Sequence, residues 1–260
     1  MTQSATLQQI EQRIDQLTPI TLDDIENVAL LNRVDTKYLM TETHLLAVLT
    51  EVGDRYDVLV VDDHRMGRYT TQYFDTTGLS MYFDHHNGRR DRYKVRVRSY
   101  EHSGIAFLEV KRKTCRERTV KARMPIAFGS QLPSSNAEQF IGSHAPYPLP
   151  MLQRSLWNNF RRISLVSKHS LERLTIDVDL HFGCETGERT LPGLVIAEVK
   201  QPKFSAHSHI VQQMRDLQIA PAGFSKYCIG IALLHPAIKR NRFKELFMRL
   251  NRLLQTRETQ

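Results

Sequence analysis

Alternating polar and apolar positions predict that much of this chain is β-strand. In RYKVRVRSY (92–100) a cation stands at every second position, with tyrosine or valine between. Side chains on a strand point to opposite faces with a period of two, so the cations share one face. The strand-like segments are 32–40, 56–62, 68–75, 92–100, 105–113, 118–126, 161–168, 172–182 and 193–201. Turn signals such as HHNGRR and CETGE separate several of them, which favours mainly antiparallel strands.

Apolar residues at helical spacing predict short helices around these strands. They are expected at 5–17, 21–31, 43–53 and 206–219, with a further short helix inside the loop 129–150. The tail, about 237–256, is predicted to be an amphipathic helix with one apolar face and one basic face. We expect it to pack on the body with its basic face in solvent. The alternative is a helix that lies on an anionic membrane surface.

The polar faces of six predicted strands consist mostly of charges. They carry Arg33, Asp35 and Lys37; Lys94, Arg96 and Arg98; Glu109, Lys111 and Lys113; Lys121 and Arg123; Arg173, Asp177 and Asp179; and Glu198 and Lys200. A sandwich with these faces in solvent is one explanation. However, solvated faces usually mix both signs of charge, whereas cations stand here on consecutive rungs. We therefore favour a mainly β (α+β) fold, in which a closed antiparallel β-barrel forms a tunnel with a charged interior and peripheral helices cover its apolar exterior.

Such an interior suits a ligand that carries many negative charges. Arginine binds phosphate oxygens through two hydrogen bonds, and lysine supplies a point charge. The net charge of +8 agrees with a polyanionic partner, whether nucleic acid, an anionic membrane or a phosphorylated small molecule. The cations alternate with valine, leucine and isoleucine and not with stacking aromatics, which disfavours specific nucleic-acid recognition. The chain lacks the GxxxxGKS/T motif, so side chains on strands must bind any phosphate.

The remaining features favour a single cytoplasmic domain over residues 1–260, with its core at about 20–235. The three cysteines are far apart and form no CxxC motif, so neither a disulfide nor a cysteine-ligated zinc site is expected. The polar N-terminus and the absence of a long apolar run predict neither a signal peptide nor a membrane span.

Several residues outside the charged faces are expected to have structural roles. Asp75 is predicted to cap a turn and Phe160 to pack in the core. His85 and His86 are predicted to face solvent or to cap the turn that follows them, with a role near the tunnel mouth as the alternative. The few carboxylates on the charged faces can hold a divalent metal ion, which binds through oxygen ligands and bridges to phosphates.

Six segments of the chain, in order, resemble a known family. They are NRVDTKY, YFDTTGLSMYFDHHNGRRDRYKVRVRSY, FLEVKRKTCRERTVKAR, NNFRRISL with ERLTIDVDL, IAEVK and GFSKY. Together they resemble the VTC domain, the polyphosphate polymerase domain of the vacuolar transporter chaperone family. This domain belongs to the triphosphate tunnel (CYTH-like) superfamily, and the segments are most similar to its stand-alone bacterial members.

The resemblance implies a closed barrel with a basic tunnel and an ATP-dependent polyphosphate polymerase. Such an enzyme transfers the γ-phosphate of ATP to a growing inorganic polyphosphate chain with Mn²⁺ or Mg²⁺. Positioning and charge neutralisation supply most of this catalysis. Two alternatives stay open: an inorganic triphosphatase or nucleoside triphosphate hydrolase on the same fold, and a non-catalytic polyphosphate-binding module. ATP and polyphosphate are the implied partners, and peripheral docking to a membrane partner at the inner face of the membrane is a further expectation.

The resemblance also implies individual roles, carried over motif by motif. The phosphate-binding residues would be Arg96 and Arg98 of KVRVR, Lys111 of EVK, Lys121 and Arg123 of VKAR, Arg162 of FRR and Arg173 before LTID. Glu198 of AEVK would be the metal ligand, with Glu109 and Asp177 as further candidates. Ser225 and Lys226 of FSKY would close one end of the tunnel, and Lys37 of DTKY would lie on the first strand.

Other residues of the charged faces complete the predicted site. Arg33, Lys94 and Lys113 are expected to bind substrate. Arg33 stands where the triphosphatase branch of the superfamily has a metal-binding glutamate, which favours the polymerase over the hydrolase. Eukaryotic relatives have a lysine at the position of Gly223, and Lys200 is expected to replace its charge.

Overall fold

One eleven-stranded sheet, flanked by helices, organises the protein. The computed structural model describes residues 5–28, 33–115, 118–130 and 135–255. The strands are β1 Pro19–Ile20, β2 Val34–Thr41, β3 Tyr56–Leu59, β4 Met66–Asp75, β5 Arg92–Tyr100, β6 Ile105–Lys113, β7 Thr119–Ile126, β8 Gln153–Ser167, β9 Arg173–Cys184, β10 Gly187–Leu191 and β11 Leu194–Gln201. The α-helices are α1 Ala5–Asp15, α2 Glu42–Glu51, α3 Ser80–His86, α4 Ser135–His144, α5 His209–Asp216, α6 Lys226–Leu234 and α7 Lys244–Gln255.

The predicted strands are present with shifted ends, and some elements differ from the prediction. The described part of the predicted helix 21–31 is a 3₁₀-helix, Asp23–Val28. β8 begins at Gln153, well before the predicted start. β10, α3 and α6 have no counterpart in the prediction. The parts of predicted elements that lie outside the described residues are 29–32, 131–134 and 256. Residues 116–117, between two predicted strands, also lie outside them.

α6 has no amphipathic pattern because protein surrounds it on all sides. Most residues of its sequence KYCIGIALL are buried. A helix that is apolar all round shows no periodic face, and a pattern search therefore misses it. A Cβ on Gly230 would lie 2.6 Å from Leu156 Cδ2 and 2.7 Å from Phe182 Cδ1, so glycine lets α6 approach β8 and β9 this closely.

The sheet is open, and the prediction of a closed barrel is wrong. The strand order is β2-β11-β9-β8-β4-β5-β6-β7, and within the described residues β2 and β7 end this order without pairing to each other. The free edge of β2 is already occupied. Ala222 N donates to Lys37 O at 2.8 Å, Tyr38 bridges to Pro221, and Arg249 Nη2 donates to Leu39 O at 3.3 Å. The segment before α6 and the tail helix α7 thus seal the seam that β7 would have closed.

Two apolar clusters cover the outer face of the sheet and one end of its inner face. In the first, α1, α2 and α5 pack on β2, β8, β9 and β11. In the second, α3, α4, α6 and α7 pack on β4, β5, β6 and β10 and on other positions of β2, β8, β9 and β11. Phe243, Leu246 and Leu250 belong to this second cluster, which confirms that the tail helix packs on the body. Within the described residues, no helix is both long enough and apolar enough to cross a membrane.

The inner face is apolar at one end and charged at the other. Leu156 on β8 and Phe182 on β9 contact α6, which plugs the apolar end. Farther along the same strands, Arg162 pairs across the sheet with Asp177. The charged rungs therefore lie inside the fold, as the alternation predicts, and not on a solvated outer surface.

A β-bulge changes which carboxylates of β9 face inward. The pairing of β8 with β9 shifts between Asn159 and Arg161, and Asp179 has a left-handed φ of 53°. Aspartate tolerates this conformation better than most residues. Asp179 turns outward and binds Arg161 at 2.6 Å, whereas Asp177 stays inside. The prediction that both aspartates share a face is wrong because a single extra residue reverses the alternation.

Candidate functional site

The inner face gathers charged side chains from distant strands into one channel. The channel consists of Lys37 on β2; Lys94, Arg96 and Arg98 on β5; Glu109 and Lys111 on β6; Lys121 on β7; Arg162 on β8; Asp177 on β9; Glu198 and Lys200 on β11; and Lys226 on α6. Lys37 and Lys111 are far apart in the strand order and yet line the same cavity of about 460 Å³. Nine cations and three carboxylates make up this set, so six positive charges are in excess when all are ionised.

Each of the three channel carboxylates binds two cations. Glu109, which is fully buried, accepts from Arg96 Nη2 at 2.6 Å and from Lys121. Burial works to raise the pKa of Glu109, but Arg96, Arg98 and Lys121 outweigh it and lower the pKa to about 2. The carboxylate is therefore ionised at all ordinary pH values and holds both cations in place.

The other two carboxylates repeat this arrangement. Asp177 binds Arg162 through two hydrogen bonds of 2.5 and 2.8 Å and also accepts from Lys226. Glu198 binds Lys37 at 2.5 Å and Lys200 at 2.8 Å. Burial opposes ionisation at both sites, yet the paired cations hold the pKa of each carboxyl well below its usual range.

Arg98 is a buried cation without a carboxylate partner among the described residues. Its side chain is only 7% exposed, and Nε donates to Thr71 Oγ1 at 3.3 Å. The guanidinium lies 5.6 Å from the ring centre of Phe160 and 5.9 Å from that of Tyr69. Burial, Arg96 and Arg162 lower the pKa of Arg98. A buried charge needs a counter-charge, and an anionic ligand in the channel supplies one.

Three lysines of the channel have lowered pKa values, so their charged forms are disfavoured. Burial and the neighbouring cations lower the pKa of Lys94 and of Lys111 to about 8. The pKa of Lys226 falls to about 8 because burial and Arg162 outweigh Asp177. Mutual repulsion of this kind is relieved when an anion enters.

Ser225 connects the channel to α6. Its hydroxyl accepts from Cys228 N at 3.3 Å as the N-cap of α6, and Lys94 Nζ donates to the same oxygen at 2.9 Å. Lys226 follows as the first helical residue. The start of α6 thus binds Lys94 through Ser225 and places Lys226 in the channel, which explains why a serine and a lysine are adjacent here.

The remaining predicted site residues lie at the margins of the channel. Arg33 is exposed and binds Asp35 at 2.8 Å, and Arg173 Nη2 donates to Ile25 O at 2.8 Å. Arg123 is exposed over the ring of Phe107, at 4.8 Å. Lys113, unlike these three arginines, lines the 460 Å³ cavity. Lys200 donates to Thr175 Oγ1 at 2.5 Å and does not line the cavity beside Gly223.

Pattern reasoning misses two polar residues deep in the channel. Thr71 on β4 pairs across the sheet with Arg98 on one side and with Asn158 on the other. Asn158 is 0% exposed, and neither its amide nitrogen nor its oxygen has a hydrogen-bond partner among the described residues. Because Thr71 and Asn158 are uncharged, a search for alternating charged positions does not detect them. An earlier predicted start of β8 would have placed Asn158 on the inner face.

Phe160 and His86, both expected to have structural roles, differ from each other in outcome. Phe160 is buried as predicted, but its ring also lies under Arg98, Arg162 and Lys226. His86 is buried, so the expectation that it faces solvent is wrong. The reason is that the HHN segment ends α3 and packs against the tail instead of forming an exposed turn.

Glu198, like Glu109 and Asp177, is a channel carboxylate that could hold a divalent ion. Within the described part of the chain, no group of three or more His, Cys, Asp or Glu side chains converges on a metal site. Mg²⁺ and Mn²⁺ in phosphate sites are commonly held by one or two carboxylates together with substrate phosphates. The donor set therefore fits an ion that arrives with phosphates, provided that Lys37 and Lys200 transfer their contacts to those phosphates.

Comparison with solved structures identifies the fold. A proposed adenylate cyclase from Bacillus halodurans superimposes with a TM-score of 0.50 at 11% sequence identity, over 75% of this chain and 94% of that chain. A proposed adenylyl cyclase from Hippeastrum, reported to have a dominant triphosphatase activity, gives a TM-score of 0.50 at 10% identity, over 76% and 94% of the two chains. At this identity the likeness concerns the fold alone. The two proteins and this chain thus share one class of fold.

Sequence comparison identifies the family within this class. The VTC domain family matches the chain over residues 32–235, and the protein belongs to this family. No curated protein matches the sequence. The match ends before α7, so the helix that seals the seam lies outside the segment that the family defines.

Proposed function

We propose that the protein is an ATP-dependent polyphosphate polymerase that transfers the γ-phosphate of ATP to a growing polyphosphate chain inside the channel. The surplus of cations over carboxylates, with Arg98 buried and unpaired among the described residues, is the observation that carries this proposal. Membership of the VTC domain family supports it. The site needs a ligand with many closely spaced negative charges, and both ATP and polyphosphate meet that need.

The channel residues act by positioning and neutralising phosphates. Glu109 and Asp177 hold Arg96 and Arg162 with their guanidinium groups fixed, so little reorganisation accompanies phosphate binding. Arg98 is expected to bind the transferring phosphoryl group, where negative charge is greatest. The terminal oxygen of the chain is itself the attacking group, and no serine or cysteine nucleophile is required. Bound Mn²⁺ or Mg²⁺, with Glu198 as its protein ligand, would neutralise further phosphate charge.

Two observations favour a polymerase over a hydrolase. The channel continues through Lys94 and Lys111 into the 460 Å³ cavity, which also contains Arg92 and Lys113, so cations extend beyond the buried Arg98. Arg33, which the resemblance places where the triphosphatase branch has a metal-binding glutamate, instead binds Asp35 at 2.8 Å. The second candidate is a triphosphatase, which the activity reported for the Hippeastrum protein of the same fold supports.

Product analysis separates these candidates. The purified protein is incubated with ATP and Mn²⁺, with and without a short polyphosphate primer, and the chains, ADP and free phosphate are measured. A polymerase forms chains with a matching amount of ADP and little free phosphate. Free phosphate without chains would establish the hydrolase. Tight, metal-independent binding of polyphosphate without any turnover would instead indicate a non-catalytic binding module. Its affinity for polyphosphate would fall steeply as the salt concentration rises.

The affinity for polyphosphate is expected to fall as the pH rises from 7 to 9. Lys94 and Lys111, with pKa values of about 8, are charged below that pH and lose their charge above it, so anion binding weakens as the pH passes through this value. Calorimetric titration across this range measures the effect. The double variant Lys94→Arg/Lys111→Arg keeps these two charges and should lose less affinity at pH 9 than the wild type, because only Lys226 of the three lysines with pKa values of about 8 then remains. A parallel fall in both proteins would contradict the assignment.

The place of action is part of the same proposal. ATP as substrate is consistent with the predicted cytoplasmic location, and the exposed cations Lys239, Arg242 and Lys244 next to and within α7 are compatible with docking at the inner face of a membrane. Flotation with vesicles that contain anionic lipid tests the docking. It is expected to be lost when these three cations are changed to glutamine.

A further inference from the structure

The cavity between β2 and β5–β6 has a composition of its own. We call it the side cavity. Its walls share Lys37, Lys94 and Lys111 with the channel and add Arg92, Lys113 and His85; Asp35 is its single carboxylate among the described residues. Phe243 and Leu246, from the tail beyond the family-matched segment, form an apolar part of the wall. The proposed function uses the lysines of this cavity and leaves His85 without a role.

His85 is poorly partnered where it stands. Its Nδ1 is buried and has no hydrogen-bond partner among the described residues. The adjacent His86 differs, because its Nε2 accepts from Arg242 N at 3.4 Å and its Nδ1 lies 3.1 Å from Asn87 Oδ1. The ring of His85 only meets that of Phe243, with centres 6.5 Å apart. Nδ1 is inaccessible to solvent in this arrangement, so a ligand in the cavity contacts it only after the half-buried ring rotates, and that rotation breaks no hydrogen bond of Nδ1.

The charged groups around His85 are mostly cations, and they come from every element packed near it. They are Arg92 and Lys94 on β5, Lys111 and Lys113 on β6, Asp35 and Lys37 on β2, Asp84 and His86 on α3, and Arg242 before α7. Asp84 is engaged with Arg89 at 3.0 Å. Burial lowers the pKa of His85 to about 2, with Lys94, Arg92 and Lys113 contributing. In the empty cavity the imidazole is therefore neutral at every physiological pH.

We propose that His85 contacts the polyphosphate chain in the side cavity and takes up one proton when the chain enters. The inference rests on the proposed function, because it takes the same polyanion as ligand. A chain of phosphates replaces the positive potential around His85 with a negative one, which reverses the balance that keeps the ring neutral. The proton comes from solvent and binds the free ring nitrogen. Both N–H groups of the imidazolium can then donate, and no covalent bond forms or breaks.

A histidine suits this position better than a lysine or an arginine would. It adds no repulsion to the empty cavity, which already carries five cations. It supplies a sixth positive charge only when an anion is present. Binding of the chain is therefore coupled to proton uptake, and the affinity contributed by His85 falls as the pH rises towards the pKa of the bound state.

Calorimetry at pH 6 tests the proposal with inorganic polyphosphate as the probe. The observed enthalpy is measured in two buffers with different ionisation enthalpies, which yields the number of protons taken up. At pH 6 lysines with pKa values of about 8 are already protonated, so they contribute almost nothing. We expect the wild type to take up about one proton more per bound chain than His85→Asn does. His144→Asn, on exposed α4, should behave as the wild type.

A second variant and a spectroscopic readout guard against misfolding. His85→Lys, like the neighbouring Lys94 and Lys111, is charged at pH 6, so at that pH it should bind polyphosphate at least as tightly as the wild type, without the additional proton. Nitrogen NMR of histidine-labelled wild-type protein should show the His85 ring neutral when free and protonated when bound. Equal proton uptake by wild type and His85→Asn, an unchanged His85 ring, or absence of polyphosphate binding would each overturn the proposal. Absence of turnover with His85-dependent uptake would reject only the polymerase.

Discussion

Replacing Arg98 with alanine is expected to lower the turnover of ATP by about 10²–10³-fold, because preorganised charges at the reacting phosphate commonly contribute that much. Arg98 is 7% exposed and, unlike Arg96, Arg162 and Lys226, has no carboxylate partner among the described residues. Its charge is therefore free to act on a ligand. The loss should appear in kcat as well as in KM, since a cation that positions the transferring phosphoryl group and neutralises charge around it contributes most in the transition state. Initial rates of ADP release measure both.

Two matched variants give this prediction its specificity. Arg112→Ala removes an arginine from the outer face of β6, where it pairs with exposed Asp91 at 2.6 Å, and should leave turnover nearly unchanged. Arg98→Lys keeps a positive charge but loses the planar guanidinium. Its turnover of ATP should therefore lie between that of Arg98→Ala and that of the wild type. Equal activity of Arg98→Ala and Arg112→Ala would remove Arg98 from the site.

Replacing Asp75 with alanine is expected to lower the free energy of unfolding by roughly 3–5 kcal/mol, since each buried donor left unpaired costs about 1–3 kcal/mol. The carboxylate is 0% exposed and accepts from Met81 N and Tyr82 N, both at 2.9 Å, and from the hydroxyl of Tyr227. It thereby joins the end of β4 to the first turn of α3 and to α6. Leu79, the N-cap of α3, provides no side-chain cap, so Asp75 has that role.

Urea unfolding followed by circular dichroism measures this loss, with Asp91→Ala as the control. Asp91 pairs with Arg112 on the surface, and such exposed pairs contribute little, about 0–1 kcal/mol. A shift for Asp75→Ala no larger than that of the control would show that α3 and α6 do not depend on this carboxylate. Because Lys226 belongs to α6, we also expect activity to fall before the protein unfolds.

The charged inner face could be predicted because its cause is local. A strand turns each successive side chain to the opposite face, so Val95 and Val97 identify one face of β5 and Arg96 and Arg98 the other. Burial of the two valines in the outer core confirms the pattern. The same reasoning found most strands and the amphipathic tail helix.

The pairing within the channel could not be predicted in this way. Which two cations bind Glu109, and which bind Asp177, depends on the register between strands. The bulge at Asp179 changes that register by one residue, and no composition signal marks it. α6 carries no amphipathic period, and Asn158 carries no charge, so neither is visible to a search for alternating charged positions.

Local alternation was thus sufficient for the strands and the charged face, because these follow from single-strand geometry, and the class of ligand stays a prediction from that face. The open seam, the apolar plug and the side cavity depend on contacts between residues far apart in the chain. Ala222 and Arg249 donate to the edge carbonyls of Lys37 and Leu39, so donors from outside the sheet occupy this edge of β2. The unpaired edge of a strand can accept hydrogen bonds from any donors that lie beside it, and only the packed tertiary structure determines which donors those are.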